Sequence, residues 1–487
     1  MNPPDILHPH QQAMPDKEHW IEGDAEIIHP RITPLNEYPD DARIMHIHPL
    51  HQDENVLIER KKLEASPDYR GPKDHLVFTT VGQRHEGAHL YRGDLVLDIN
   101  ESRYHLKRSS SEQVIVLRTQ EGDDEIIIDD DVQATVFIDS GAGADRVQCG
   151  GGFTKVHTGS GNDSVFTRSG ASYIETGEGD DYVSALGDGP VTVYGGQGND
   201  TLDVSASKGA CFIEGGQGDD LVAGGQGQSN VLSGGEGDDE IIPGPGPTTI
   251  YTGTGTDLVS GLRADMQLFN AYSTSQPTPA TLADDPGVMI AAKGLDTCGV
   301  IVEGSPRFQE RVNDDLRLLL GSGNGQQLLD ALGRAKEASG VPVVIKELSE
   351  EENGMCHPGG TEQDHLFIEH GQAGTPAQGC TVYYDPSFLK AEVTSIVHLY
   401  HELCHAYNFV TGTTFPGLGP DGVDAGKPRN LVRNAELQAV GLEAQVPAFD
   451  FDANSATPPL TTNPEAFTEN GLRLEFGIPP RKQYRED

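Results

Sequence analysis

The sequence predicts a multidomain protein, a β-solenoid followed by an α+β domain, and three observations carry that prediction. A motif of glycine and aspartate recurs at a near-constant interval between residues 140 and 259. A segment rich in Pro, Ser and Thr follows it, and the C-terminal half then changes to helical periodicity. At 487 residues the chain also exceeds what a single compact core accommodates.

Residues 1–75 are polar, Pro-rich and His-rich with little periodicity, and read as a disordered leader. Their histidines (His8, His10, His19, His29, His46, His48 and His51) match no defined metal spacing and read as a solvated tail. Acidic residues outnumber basic ones 76 to 34, for a formal charge of −42, which excludes nucleic acid and anionic membrane surfaces as natural partners and favours bound cations. The start carries no charged and then apolar segment of a Sec-type signal peptide, and no run reaches the length of a membrane span. The six cysteines are dispersed with no C-x-x-C pair, so free thiols or one or two incidental bridges are expected.

From residue 76 to 262 short apolar runs such as LVFTTV, VIVLR and TVFID alternate with polar turns, a β pattern. Within it, SGAGADRV, TGSGNDSV, TGEGDDYV, GGQGNDTL, GGQGDDLV, GGEGDDEI and TGTGTDLV place aspartates at Asp145, Asp163, Asp181, Asp200, Asp220, Asp239 and Asp257. The repeat resembles the calcium-binding nonapeptide of RTX proteins, G-G-x-G-x-D-x-U-x, which winds a parallel β-roll. That resemblance implies glycines in left-handed turns, aspartate oxygens for Ca²⁺, and the eighth position (Val147, Val165, Val183, Leu202, Val222, Ile241, Val259) turned into the roll. Here the aspartate turn recurs once per two nonapeptides, so the seven aspartates are expected along one edge, with calcium on that edge only.

Residues 263–295 read as a linker around YSTSQPTPATLADDPG, and residues 296–487 as an α+β domain. FQERVNDDLRLLLGS and NGQQLLDALGRAKEASG have helical periodicity, whereas VPVVIKEL and CTVYYD read as strands. DPSFLKAEVTSIVHLYHELCHAYNFVTG reads as one helix over 385–412, with Leu389, Val393, Ile396, Val397, Tyr400 and Cys404 on its packed stripe. His401 and His405 fall one turn apart beside that stripe, the geometry in which two imidazoles reach one Zn²⁺. Glu402 stands one step on, placed to take a proton from a water that zinc activates and to return it to a leaving amine. This is the H-E-x-x-H pattern of a zincin-like metallopeptidase.

Zinc requires a third protein ligand, and no histidine follows His405. The candidates are carboxylates. Glu436, on a second helix expected over 428–444, sits near the small Ala439 and Gly441 that let a neighbouring helix approach, and Asp424 is its rival. Asp421 and Glu443 are less well placed. His398 shares the ligand face and reads as a supporting histidine. Tyr407 and Tyr484 are alternative donors to a developing oxyanion.

The segments FQERVNDDLRLLL, LYHELCHAYN, RNAELQAVGLE and TENGLRLEFGIPPRKQY, in that order, resemble the zinc-metallopeptidase family of bacterial type III secreted effectors. The TEN-x-x-R and R-x-x-Y elements of the last segment make the resemblance more specific than HELCHA alone. It implies zinc held by His401, His405 and Glu436, with Glu402 as base. It also implies secretion without a Sec signal, delivery into a host cell and cleavage of a host protein. Two other readings remain: a calcium-stabilised adhesion or interaction protein, and an inter-bacterial toxin carrying a zincin domain.

Overall fold

The computed structural model describes residues 17–25, 31–35, 43–64, 73–81, 87–92, 96–168, 170–272, 287–348, 354–360, 365–388, 393–421 and 431–485. They form a β-solenoid of about eight turns over residues 115–290, followed by a region of helices and sheet, as the repeat and the change in periodicity predict. The chain divides into two compact units, Met1–Gly189 and Pro190–Asp487. No helix among the described residues is long and apolar enough to cross a membrane. All six cysteines are free.

In the first unit, strands Val114–Arg118, Val136–Asp139, Thr154–Ser160 and Ser172–Glu178 pair in parallel in successive turns. Residues 17–64, where the sequence suggested an irregular leader, instead contain strands Lys17–Glu22, Arg31–Leu35, Arg43–Gln52 and Val56–Glu64. Alternation explains them. Met45 and Ile47 turn inward onto Leu63, and Val56 and Ile58 are fully buried, whereas His46 and His48 occupy the other face. Histidine on the polar face keeps mean hydropathy low and conceals the two-residue period.

In the second unit the roll continues through Val191–Gln197, Cys211–Gln217, Asn230–Glu236 and Thr248–Thr254, which pair in parallel with Gly196, Gly216, Gly235 and Gly253 in register. These glycines are obligatory on two counts. Gly216 and Gly218 have φ of 116° and 131°, and a Cβ at either position would stand 2.0 Å from the carbonyl oxygen of Gly196 or Gly198 in the turn before. The eighth-position residues Val147, Val165, Val183, Leu202, Val222, Ile241 and Val259 are all buried. Strands Gln267–Tyr272 and Val288–Ala291 extend the parallel ladder into residues 263–295, which the sequence suggested as a linker.

The α+β region contains β1 (Val300–Glu303), α1 (Pro306–Gly321), α2 (Gly323–Ser339), β2 (Val343–Glu347), β3 (Met355–Pro358), β4 (Cys380–Tyr384), α3 (Ser395–Thr411), α4 (Asn434–Val440) and α5 (Glu469–Glu475). The sheet order is β1-β2-β4-β3; the first three strands are parallel and β3 is an antiparallel edge. Ser305 and Ser322 cap α1 and α2, and Gly340 ends α2 in the left-handed conformation.

This region packs directly on the roll strands of its own unit. The Glu475 carboxylate, at the end of α5, accepts hydrogen bonds from Tyr251 Oη (2.8 Å), from the Gly323 amide (3.2 Å) and from the Asn324 amide (3.0 Å). The last two belong to the first turn of α2, where a carboxylate satisfies otherwise unpaired N–H groups. Thr249 donates to the Glu475 carbonyl (3.0 Å), and Phe476 packs among Phe212 and Tyr251.

Candidate metal centre

Helix α3 is shorter than the sequence suggested. It begins after Thr394 rather than at Asp385, and Gly412 ends it with φ of 66°. It is also buried nearly all round, with Ile396, Val397, Leu399, Tyr400, Leu403, Cys404 and Ala406 inaccessible, so it runs through the core rather than along its edge. Leu389 lies outside the described residues.

Helix α4 is likewise shorter than expected, because residues 431–433 form a strand paired with Leu418–Pro420 and Gly441 stops the helix at φ of 93°. A buried polar network fixes α4 against α3. Asn408 of α3 donates to Asn463 Oδ1 (2.9 Å), and Gln438 of α4 donates to the same oxygen (2.8 Å) and to the Thr413 carbonyl (2.8 Å). Gln438 Oε1 accepts from the Phe415 amide (2.9 Å). These bonds are satisfied and buried, so they resist displacement and set the position of Glu436 in the first turn of α4.

Three donor atoms converge as a result. His405 Nε2 lies 3.1 Å from His401 Nε2 and 3.2 Å from Glu436 Oε2, and His401 Nε2 lies 3.4 Å from the same oxygen. Among the described residues, this is one of two groups of three or more His, Cys, Asp or Glu residues able to hold a metal ion. Ligands about 2.0–2.1 Å from a tetrahedral ion are separated by roughly 3.3–3.4 Å, so the three spacings fit such an ion. The electrostatics agree. Burial works against an imidazolium at His401, yet Glu436 and Glu469 raise its pKa to about 10. Burial also opposes charge on Glu436, but His405 and His401 hold its pKa well below the usual carboxylate range. The site is built to stabilise positive charge between these side chains.

The C-terminal tail supports the cluster from behind. Glu469, first residue of α5, lies 3.0 Å from His401 Nδ1 and accepts from Arg473 (3.3 Å) and Arg481 (2.9 Å). Burial disfavours its charge, but His401 and Arg481 hold its pKa at about 2. A carboxylate on Nδ1 leaves the Nε2 lone pair facing the cluster. Tyr484 lies with its ring 6.4 Å from that of His401, and burial together with the charges of Glu436 and Glu402 raises its hydroxyl pKa.

The family model Peptidase_M91, described as "Effector protein", matches residues 296–484. The C-terminal region is a Peptidase_M91 effector domain. The RTX calcium-binding nonapeptide repeat matches in four copies, over residues 157–189, 185–208, 203–231 and 214–250. Among curated proteins and solved structures, none matches the chain.

Within the Peptidase_M91 domain, Glu402 is 7% exposed and stands beside the start of the edge strand β3, where a Cβ on Gly354 would come within 3.1 Å of its Cγ. Burial raises its pKa, against the opposing pull of His401 and His405. The rival carboxylates lie elsewhere or outside view. Asp421 accepts the backbone amides of Tyr484 and Arg485 and so anchors the tail, Glu443 is exposed, and Asp424 is outside the described residues. His398 packs edge-on against Phe388, and Tyr407 stacks on Phe467. Glu469 is the residue that spacing arguments missed; its only signal was the TEN-x-x-R pattern of the tail. The Glu469→Gln chain is expected to bind zinc roughly 10- to 100-fold more weakly, read by competition with a chromophoric chelator.

In the roll, the aspartates of each unit stack as expected and are joined by a backbone ladder. Asp163 Oδ1 accepts the Asp145 amide (2.7 Å) and Asp181 Oδ1 the Asp163 amide (2.7 Å). In the second unit Asp220, Asp239 and Asp257 accept the amides of Asp200 (2.8 Å), Asp220 (2.9 Å) and Asp239 (3.2 Å). The Oδ2 atoms of Asp145, Asp163, Asp220 and Asp239 are buried without a hydrogen bond, which is costly unless a cation or proton is nearby. The ladder begins one turn earlier than the motif suggested, at Asp124, whose amide donates to Asp145 Oδ1 (2.9 Å). Gln120, at φ of 75°, replaces the expected glycine there and hides that turn from the pattern. An outer row, Asp123, Asn162, Asn199, Asp219 and Asp238, accepts backbone amides of the following turn, the opposite sense to the inner ladder, and was also missed.

Proposed function

We propose that the chain is a zinc-dependent endopeptidase effector that cuts a host protein. The observation that carries the reading is the convergence of His401 Nε2, His405 Nε2 and Glu436 Oε2 at mutual spacings of 3.1–3.4 Å within a Peptidase_M91 domain. Zinc held there by His401, His405 and Glu436 would supply an activated water and polarise the scissile carbonyl. The protein's own residues do the rest. Glu402, buried with a raised pKa, takes the proton of the attacking water and passes it to the leaving amine. Glu469 holds the His401 ring in the orientation that turns Nε2 toward His405 and Glu436. The Tyr484 hydroxyl, beside Glu436, donates to the oxyanion as it forms.

The edge strand β3 suits a peptide substrate. It is antiparallel to β4 on one side and pairs with no strand on the other among the described residues, and Gly354 at its start lies so close to Glu402 that an added Cβ would stand 3.1 Å from the Glu402 Cγ. An extended peptide that pairs with β3 brings its backbone to the catalytic carboxylate. The roll is read as calcium-loaded along the aspartate edge, at Asp145, Asp163, Asp181, Asp200, Asp220, Asp239 and Asp257. In the second unit the roll carries α5 through Thr249 and Tyr251, so its calcium state reaches the helix that bears Glu469. Secretion and delivery into a host cell belong to the same proposal, and the effector family and the RTX repeats are compatible with them.

Metal analysis of the purified full chain tests the zinc reading. We expect one zinc that depends on His405 and Glu436, lost in His405→Ala and in Glu436→Gln. A chain with no zinc in that position, or one that keeps it in both variants, overturns the assignment.

A further inference from the structure

The second metal-type group among the described residues lies in the first unit, far along the sequence from the peptidase: His19, His51 and Asp53. Its residues fall in the stretch whose histidines read as a solvated tail, yet they are brought together by two separate pieces of backbone. His19 sits on strand Lys17–Glu22, paired in parallel with Ser102–Lys107 so that His19 is opposite Tyr104. His51 is the penultimate residue of strand Arg43–Gln52, at a register shift between Pro49 and His51. Such an irregularity re-aims a side chain and is commonest beside functional sites. Asp53 occupies the turn to strand Val56–Glu64.

The turn uses only one carboxylate oxygen. Asp53 Oδ1 accepts the amides of Asn55 (2.8 Å) and Val56 (2.9 Å). Oδ2 faces inward, where it accepts from Tyr104 Oη (2.9 Å) and lies 2.9 Å from His51 Nε2 and 3.6 Å from His19 Nε2. The two imidazoles stand with ring centroids 4.5 Å apart, and His19 stacks on Tyr104 at 5.2 Å. A proton shared between His51 and Asp53 accounts for the shorter contact alone. It leaves His19 Nε2 shut off from solvent with no hydrogen bond, an expensive arrangement for a ring nitrogen.

We propose that His19 Nε2, His51 Nε2 and Asp53 Oδ2 form a second transition-metal site, with Tyr104 orienting the carboxylate. The spacings of 2.9 Å and 3.6 Å bracket the roughly 3.3–3.4 Å expected between ligands of a tetrahedral ion, and the three donor atoms all lie within 4.8 Å of one another. Two imidazoles and one carboxylate select a late first-row divalent cation such as zinc over calcium, which takes oxygen. The ion ties the strand Lys17–Glu22 to the hairpin of residues 43–64, a cross-link between segments distant in sequence. It is structural, and it is independent of the zinc proposed at His401 and His405.

The test is a zinc titration of the full chain, stripped with a chelator and kept in calcium, against a chromophoric competitor. Two equivalents are expected: one lost in His405→Ala, the other lost in Asp53→Asn with peptide cleavage unchanged. Asp53→Asn keeps the oxygen that caps Asn55 and Val56, so the turn survives, and circular dichroism matching the parent confirms it. Tyr104→Phe is expected to weaken the second equivalent by roughly 10- to 100-fold. The proposal fails if the parent binds a single equivalent that disappears with His405→Ala. It fails equally if Asp53→Asn and His51→Ala both bind zinc with the parent's stoichiometry and affinity.

Discussion

The Glu402→Gln chain is expected to keep its zinc and its fold while kcat for peptide cleavage falls by roughly 10²- to 10⁴-fold. The substitution is close to isosteric, so it preserves the contact with Gly354 and leaves the three converging ligand atoms alone. It removes only the ability to accept and return a proton. Glu402 is suited to that task because its carboxyl is buried, which raises its pKa, while His401 and His405 keep the rise in check. A carboxyl in that balance can both take a proton from an activated water and surrender it to an amine. KM should change little, since Glu402 is not assigned a part in holding the peptide. Cleavage by Glu402→Gln at the parental rate, with zinc still bound, would falsify the assignment of the base.

The sequence and the structure agree where a short-range pattern sets the geometry. The His401, Glu402 and His405 spacing is fixed by helical geometry alone, and the 18- to 20-residue interval between aspartates is the length of one turn of the roll. What the sequence obscured depends on distant partners. Glu469 is 68 residues from His401 and meets it because α5 is held by distant partners, among them Asn324 at Gly471 and the roll through Glu475. Helix α4 is too short and too interrupted by strand 431–433 to be read from periodicity, and Gln438 positions it through contacts with Thr413 and Asn463. The N-terminal strands were hidden by histidines on their outer face, and the turn at Asp124 by Gln120 in a glycine position. In each case the local composition pointed away from the element, and tertiary contact formed it regardless.

Without calcium, the chain is expected to lose stability as pH rises from about 5 to about 8, the reverse of the usual acid-sensitive pattern. Burial, with smaller contributions from neighbouring aspartates, raises the pKa of Asp163 and Asp257 to about 6, of Asp239 to about 7 and of Asp220 to about 8. In the unfolded chain the same carboxyls titrate near 4. Between those values the folded chain binds more protons than the unfolded one, so the free energy of unfolding falls as pH rises, and the loss is complete once pH passes the folded values. A carboxyl titrating near 7 rather than near 4 costs on the order of 4 kcal/mol when ionised. For a unit of this size that lowers the thermal midpoint by roughly 10 °C. Calcium reverses the sign of the problem because it binds the ionised form. It should therefore bind more tightly at pH 8 than at pH 5, release protons as it does so, and flatten the pH dependence of the midpoint. Thermal scans at both pH values, with and without calcium, read the effect directly. A calcium-free midpoint that climbs from pH 5 to pH 8 would mean that the buried aspartate edge is not what calcium neutralises.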